Sequence, residues 1–362
     1  MHKTIILTIT NDPDYDQRMQ RICTTLSDAG FKVILAGRKM RQPSGYIANY
    51  KVKRMHCLFH KGPLQYAEYH FRLFFWLLFQ KGNILCAVDI DTILPVYAIS
   101  CMKRIKRVFD AHEYFSELKE VVTRPKVQKW WKTIENFAIP RFTIGYTVGG
   151  EIARVFREKY GVDYAVIRNV PLIKPMKATN IRKFQAIIYQ GAINEARGME
   201  YLIPAMKNID AELHFYGTGN FLEQSLNLTR ALGLTDKIKF FGMVSPQYLQ
   251  EISSTYTIGI NLVEHVGLNQ YYSLANKFFD YIHAGIPQVT MNFPEYAAIN
   301  QKAQVAVLLD ELSVEGIASA VNLLLHDSVL YCSLVKNCLE LREIYNWEIE
   351  RIRLLEIYEK LL

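Results

Sequence analysis

Ser273-Leu274-Ala275-Asn276-Lys277-Phe278-Phe279-Asp280-Tyr281-Ile282-His283-Ala284-Gly285-Ile286-Pro287 reads as an amphipathic helix that ends at a glycine and feeds a strand. Ser273 is a natural N-cap residue, so the backbone N–H groups of Leu274 and Ala275 are expected to form an anion site at the helix start. Lys277 falls within the first turn, and Asp280 follows three residues later on the same side. A cation and amides beside a carboxylate suit a phosphorylated sugar.

Outward from this helix the same alternation recurs. Thr4–Ile9, a helix from Asp16 to Ala29, Lys32–Ala36, a helix near Leu64–Phe79, Ile84–Val88 and Arg107–Phe109 alternate short β-branched runs with helical stretches, which argues for a parallel sheet flanked by helices. The series restarts at Phe184–Tyr189 and runs through Glu212–Tyr216, Lys237–Phe241, Thr257–Leu262 and Pro287–Met291. Two doubly wound, Rossmann-like α/β domains are therefore expected. The join is placed at 169–175, where Pro171 and Pro175 restrict the backbone and no periodicity persists. The expected domains are then 1–168 and 176–345, followed by an amphipathic terminal helix over 346–362.

Half of the 362 residues are hydrophobic and 22% are charged, which is ordinary for a globular chain with two cores. The six cysteines are scattered without Cys-x-x-Cys or zinc-ligand spacing, so they read as small buried hydrophobes of a reducing compartment. Strand-like Thr4–Ile9 begins almost at once, without the apolar stretch and cleavage site of a signal peptide, so a cytoplasmic location is expected. Residues 1–175 hold 28 Lys+Arg against 15 Asp+Glu, whereas 176–362 hold 15 against 20. The first half should therefore meet something anionic, a membrane surface or a nucleic acid, and no nucleic-acid motif accompanies the basic runs. The aromatic stretch Phe71–Phe79 is far short of the roughly 20 residues that span a bilayer. It fits either a core helix or a helix lying on a membrane.

The run Asp280 to Pro287, Asp-x-x-x-x-Gly-x-Pro, resembles the second half of the signature of retaining nucleotide-sugar glycosyltransferases of family four. The helix as a whole is similar to those of a group with a Ser-x-x-Asn-Lys-x-x-Glu/Asp pattern. The resemblance implies two Rossmann-like domains facing across a cleft (the GT-B type), with the terminal helix crossing back to the first domain. It also implies a donor bound chiefly by the second domain, Asp280 on the nucleotide ribose, and no required metal or cofactor beyond the nucleoside diphosphate sugar. Arg107-Val108-Phe109-Asp110-Ala111-His112-Glu113 reads as a strand entering a polar turn, where ligands of open α/β sheets bind. The resemblance gives His112 a contact with the donor sugar near the reacting carbon, and Glu113 is a candidate to orient the acceptor hydroxyl. Gly191-Ala192-Ile193-Asn194-Glu195-Ala196-Arg197-Gly198 resembles the family's Gly-Arg…Lys-Gly segment, with Arg197 at the lysine and Ala192 where an arginine is common. Gly217 and Gly219 suit close approach of backbone to the nucleotide, and Gly242 and Met243 resemble the strand end that faces the base. Eight residues before Asp280 stands Tyr272, not the usual first glutamate, which leaves Glu264 or the set Tyr272, Asn276 and Lys277 to take that role. Asn11 to Arg18 replaces the family's glycine-rich turn and is expected to shape the acceptor side, with Asp16 capping the first helix. Asp89-Ile90-Asp91 matches an Asp-x-Asp metal motif, but its place before the apolar helix Thr92–Ser100 favours Asp91 as an N-cap.

Taken with these residues, the resemblance implies a hexosyltransferase, retaining and metal-independent, and the charge asymmetry adds the expectation of a lipid-linked or polysaccharide acceptor hydroxyl at the inner face of an anionic membrane. A nucleotide-sugar 2-epimerase shares the implied architecture, and Tyr272 with Ala192 also fits a catalytically silent sugar-nucleotide-binding subunit.

Overall fold

The structure, a computed structural model, describes residues 3–40, 46–175 and 186–361. Phe184 and Gln185 of the expected strand, the start of the expected second domain at 176–183, and Leu362 lie outside the described residues. The chain divides into two compact units, Met1–Asn169 with Glu350–Leu362, and Val170–Ile349.

In the first unit, β1 (Thr4–Thr8), β2 (Lys32–Arg38), β3 (Lys51–Met55), β4 (Ile84–Val88), β5 (Lys106–Ala111), β6 (Gly145–Thr147) and β7 (Ala165–Val166) form a parallel sheet in the order β3-β2-β1-β4-β5-β6-β7. The chain builds outward from β1 to β3 and returns on the other side of β1 at β4, pairing Ile5 with Ile84 and Leu7 with Cys86. That reversal opens a crevice beyond the carboxyl ends of β1 and β4. β4 is apolar and buried along its whole length, as a strand covered on both faces must be. β3 is Lys-Val-Lys-Arg-Met, a charged edge strand that reads in sequence as a basic run. Asp16 caps helix Gln17–Asp28 by accepting the Met19 N–H at 3.0 Å. Helix Pro63–Leu78 buries only Tyr69, Leu73 and Leu77, one residue per turn, so the core-helix reading of this stretch holds for a single face. Asp91 does not cap the next helix, which runs Ile93–Lys103 with Thr92 at its N-cap. Its carboxylate instead accepts the Thr10 hydroxyl. The terminal helix Trp347–Glu359 seats Tyr358 wholly inside the first unit, its hydroxyl 3.3 Å from that of Tyr146.

In the second unit, β8 (Ala186–Gln190), β9 (Glu212–Tyr216), β10 (Ile238–Phe240), β11 (Ile258–Asn261), β12 (Gln288–Met291) and β13 (Ala306–Leu309) are parallel in the order β10-β9-β8-β11-β12-β13. The order again reverses at one pair, β8 and β11, where Ile187 meets Ile258. Helix Asn276–Ala284 covers this sheet with Phe278, Phe279, Tyr281 and Ile282, all fully buried. The Tyr281 hydroxyl accepts the Gln190 N–H at 3.2 Å and lies 3.2 and 3.3 Å from the carbonyl oxygens of Ile188 and Ile260. Its ring occupies the space that any side chain at Gly259 would need, 2.5 Å from an ideal Cβ there. Gly259→Ala is therefore expected to cost about 1–3 kcal/mol, read as a lower urea midpoint. An unchanged midpoint would mean that the helix can lift from the sheet without loss.

Candidate functional site

The second unit's candidate site lies at the carboxyl end of β8. Gly191 follows that strand at φ 110°, a conformation that suits glycine alone, and its N–H donates to Tyr216 O at 2.9 Å. The β8 and β9 loops are then stitched together: Ile193 N–H reaches Thr218 O at 3.0 Å, and an ideal Cβ at Gly217 or Gly219 would sit 1.8 Å from Gly191 O or 2.1 Å from Ile193 O. The two glycines of the β9 loop are thus demanded by contact with a neighbouring loop. Gly217 N–H continues the chain of bonds to Gly242 O at 2.8 Å, beside exposed Met243.

Lys277 reaches the same strand end. Its Nζ lies 3.6 Å from the centroid of the Tyr189 ring, is buried and has no hydrogen-bond partner among the described residues. Gly191 passes close by, its ideal Cβ 3.6 Å from the Lys277 Cε. Burial first, and the Arg197 cation second, hold the ammonium well below its usual pKa, while Asp280 opposes them. Arg197 is half-buried in the loop that closes at Gly198, where helix Met199–Ala205 begins. Asp280 accepts the Gln190 side-chain amide at 2.7 Å, and Ser253 steadies that amide from its other end at 3.2 Å. The Glu264 N–H donates to Ala196 O at 3.0 Å, which brings the β11 loop against the Arg197 loop. Lys277 and Arg197 disfavour one another's charge at a glycine turn, with a carboxylate one helical turn away, an arrangement that an anion would stabilise.

The helix start differs from the expectation. Ala275, not Ser273, is the N-cap, and its N–H is taken by the Tyr296 hydroxyl at 3.1 Å. Leu274 is buried in the core, which holds the chain extended until Asn276, and Ser273 Oγ lies 3.5 Å from Tyr296 Oη. Ala275 N–H is therefore not an anion ligand. Asn276 is exposed at the first helical position, and half-buried Tyr272 closes the short helix Leu268–Tyr271.

The first unit gathers a second constellation beyond β1, β4 and β5. Asp110, fully buried, bonds Arg18 at 3.0 Å through one oxygen and His112 Nε2 at 3.0 Å through the other. Asp89 stands at φ 55°, ψ 168°, which costs a non-glycine residue about 1–3 kcal/mol. Its Oδ1 accepts the N–H groups of His112 at 2.8 Å and Glu113 at 3.3 Å, and its Oδ2 lies 3.8 Å from His112 Nδ1. Burial pulls the His112 pKa down, but Asp110 and Asp89 outweigh it against Arg18 and raise it to about 9. Burial raises the carboxyls of Asp89, well above the usual range, and of Asp91, to about 7. Glu113 is exposed beside them. The acidic loop after β1 is largely structural: Asp14 pairs with Arg54 at 2.5 Å, and Asp12 accepts the Met40 N–H at 2.9 Å. Among the described residues no group of three or more His, Cys, Asp or Glu side chains is placed to hold a metal ion.

Sequence reasoning assigned no individual role to Tyr189, Gln190 or Asp110, placed Arg18 only at the end of a loop expected to shape the acceptor side, and treated Asp89 only as part of a metal motif. The one signal available for the buried pair was an arginine on the inner face of the first helix.

No curated protein sequence matches the chain significantly. Among solved structures, sucrose-phosphate synthase from Thermosynechococcus elongatus is similar at TM-score 0.83 and 14% identity, covering 99% of each chain. Anabaena HepE in complex with UDP and glucose is similar at TM-score 0.78 and 10% identity, covering 99% of this chain and 100% of its own. WaaG, a glycosyltransferase involved in lipopolysaccharide biosynthesis, is similar at TM-score 0.74 and 14% identity, covering 96% and 98%. The two parallel-sheet units thus carry the GT-B fold of these enzymes, and residues 174–340, which include every candidate residue of the second unit, match the family model Glycosyl transferases group 1.

Proposed function

We propose that the protein transfers a sugar from a nucleoside diphosphate sugar to a hydroxyl of a lipid-linked or polysaccharide acceptor, with retention of configuration and without a divalent ion. The observation that carries this reading is the buried, unpartnered Lys277 ammonium, held beside Arg197 at a glycine turn with Asp280 one turn on. A diphosphate would supply the missing anion, and the Asp280 carboxylate would accept the ribose hydroxyls. The group 1 match covers this segment, HepE holds UDP, and WaaG acts in lipopolysaccharide biosynthesis.

In this reading the bond between the sugar carbon and the β-phosphate oxygen breaks as the acceptor oxygen bonds that carbon from the same face. The acceptor proton passes to the departing phosphate oxygen. Lys277 and Arg197 stabilise the charge that grows on the diphosphate, preorganised and shielded from water. His112, held cationic by Asp110 and Asp89, is a charged hydrogen-bond donor at the strand ends of the first unit.

Thermal-shift titration with uridine and guanosine diphosphate sugars tests the reading, because a ligand of the native state raises its apparent stability. At least one is expected to raise the melting temperature. Asp280→Asn should weaken that ligand by about 1–3 kcal/mol, the range for a charge-assisted hydrogen bond. No shift with any sugar nucleotide, or equal affinity in the variant, would contradict the assignment.

A further inference from the structure

Helix Pro63–Leu78 and the loop before it present an apolar face that none of the described residues of the first unit covers. Leu64, Phe71, Phe75 and Phe79, at the helix's C-cap, are 58, 66, 44 and 79% exposed, and they recur at helical spacing opposite buried Tyr69, Leu73 and Leu77. Leu58 and Phe59, 78 and 45% exposed, join the same face, because both their N–H groups donate to the Glu68 carboxylate one turn before Phe71 and Arg72. The Phe71 and Phe75 rings touch at a centroid distance of 4.6 Å, so the stripe is continuous. Six large apolar side chains on one surface exceed the scatter of single exposed hydrophobics that ordinary surfaces carry.

The charges around the stripe identify its occupant. Residues 56–82 contain one carboxylate, Glu68, and it is consumed by the two loop amides and by Arg72 at 2.7 Å, which hold its pKa down at about 2. Lys61 and Lys81 are exposed at the two ends of the helix. Lys103 donates to the carbonyls of Leu77 and Gln80 at 2.9 and 2.7 Å, which brings exposed Met102 and Arg104 to the same end. A protein partner would match such a stripe with shape and with carboxylates of its own. A flat aromatic stripe rimmed by cations, on the half of the chain with the large basic excess, is complementary to an anionic bilayer, into whose headgroup boundary aromatic rings insert while cations meet phosphates.

We propose that this face docks the protein on an anionic lipid bilayer through Leu58, Phe59, Leu64, Phe71, Phe75 and Phe79, with Lys61, Lys81 and Arg104 at the rim. The docking is independent of the transfer reaction, since none of these side chains belongs to either candidate site.

The experiment is co-sedimentation of the full chain with vesicles of phosphatidylglycerol and phosphatidylcholine, compared with phosphatidylcholine alone. The wild type should bind the anionic vesicles, lose binding as salt is raised, and ignore the neutral ones. Phe71→Asp with Phe75→Asp should weaken binding by about tenfold or more, as should Lys81→Glu with Arg104→Glu. The melting temperature and the sugar-nucleotide thermal shift should stay at wild-type values, which separates this face from the donor site. Binding that ignores lipid charge, no binding, or binding unaffected by the Phe71 and Phe75 changes would overturn the proposal. So would a stable dimer in sedimentation equilibrium that those two changes dissociate, because it would make a second copy the occupant.

Discussion

Lys277→Ala is expected to lower turnover by about 10²–10³-fold, the loss typical of removing one donor to a developing anion. The same substitution should leave the ligand-free protein as stable as the wild type or more so. The ammonium is buried without a hydrogen-bond partner, and burial and Arg197 both disfavour its charge, so removing it deletes a penalty as well as the aliphatic packing against Tyr189 and Gly191. A purely structural lysine would show the opposite pattern, lost stability with turnover preserved per folded molecule. The assay uses the sugar nucleotide that gives the largest thermal shift, in chelator and with magnesium or manganese added back. Activity that needs the metal would return attention to Asp89 and Asp91.

Asp110→Asn is expected to cost about 3–5 kcal/mol in unfolding free energy, because it strips a fully buried carboxylate from between Arg18 and His112. The pH dependence gives a second readout. His112 has its folded pKa raised to about 9 from an ordinary 6.5, so the folded state binds more protons than the unfolded one between those values. Its contribution is full below about 6.5 and is lost as pH rises through about 9, up to about 3 kcal/mol in all. Asp110, whose folded pKa is lowered as Arg18 and His112 outweigh burial, contributes above its unfolded value and loses that contribution only as pH falls through the lower folded one. Lys277, lowered, acts with the opposite sign to His112, since its folded form releases its proton first and stability then rises with pH. The difference between wild type and His112→Gln isolates the histidine's slope. Asp110→Asn should shrink that slope, and a slope equal to wild type would show that Asp110 does not set the His112 charge.

The alternation of apolar runs and helices made both sheets legible, and Ile84–Val88 and Glu212–Tyr216 coincide with β4 and β9. Strands at the margins escaped notice for physical reasons. β3 carries three cations in five residues because an edge strand can leave them in water, and β6 and β7 are only three and two residues long. In the site, the placing of Lys277 and Asp280 on one side of the helix followed from helical spacing, which is local. The helix start did not, because burial of Leu274 and the hydroxyl of Tyr296, 21 residues beyond Ala275, override the capping preference of Ser273. Gly217 and Gly219 were legible as close-approach glycines but not as partners of the β8 loop. The Arg18–Asp110 pair spans 92 residues, and no local pattern announces it.

The central claim is that the Lys277 ammonium is the unsatisfied half of a diphosphate site. Calorimetric titration with UDP and with GDP, in buffers of different ionisation enthalpy and from neutral pH to about 10, measures it directly, since an anion bound at a lysine of depressed pKa restores its proton. The expected result is binding of at least one nucleotide with net proton uptake that grows with pH and disappears in Lys277→Ala. Binding without uptake, uptake that persists in the variant, or no binding of either nucleotide would contradict the account.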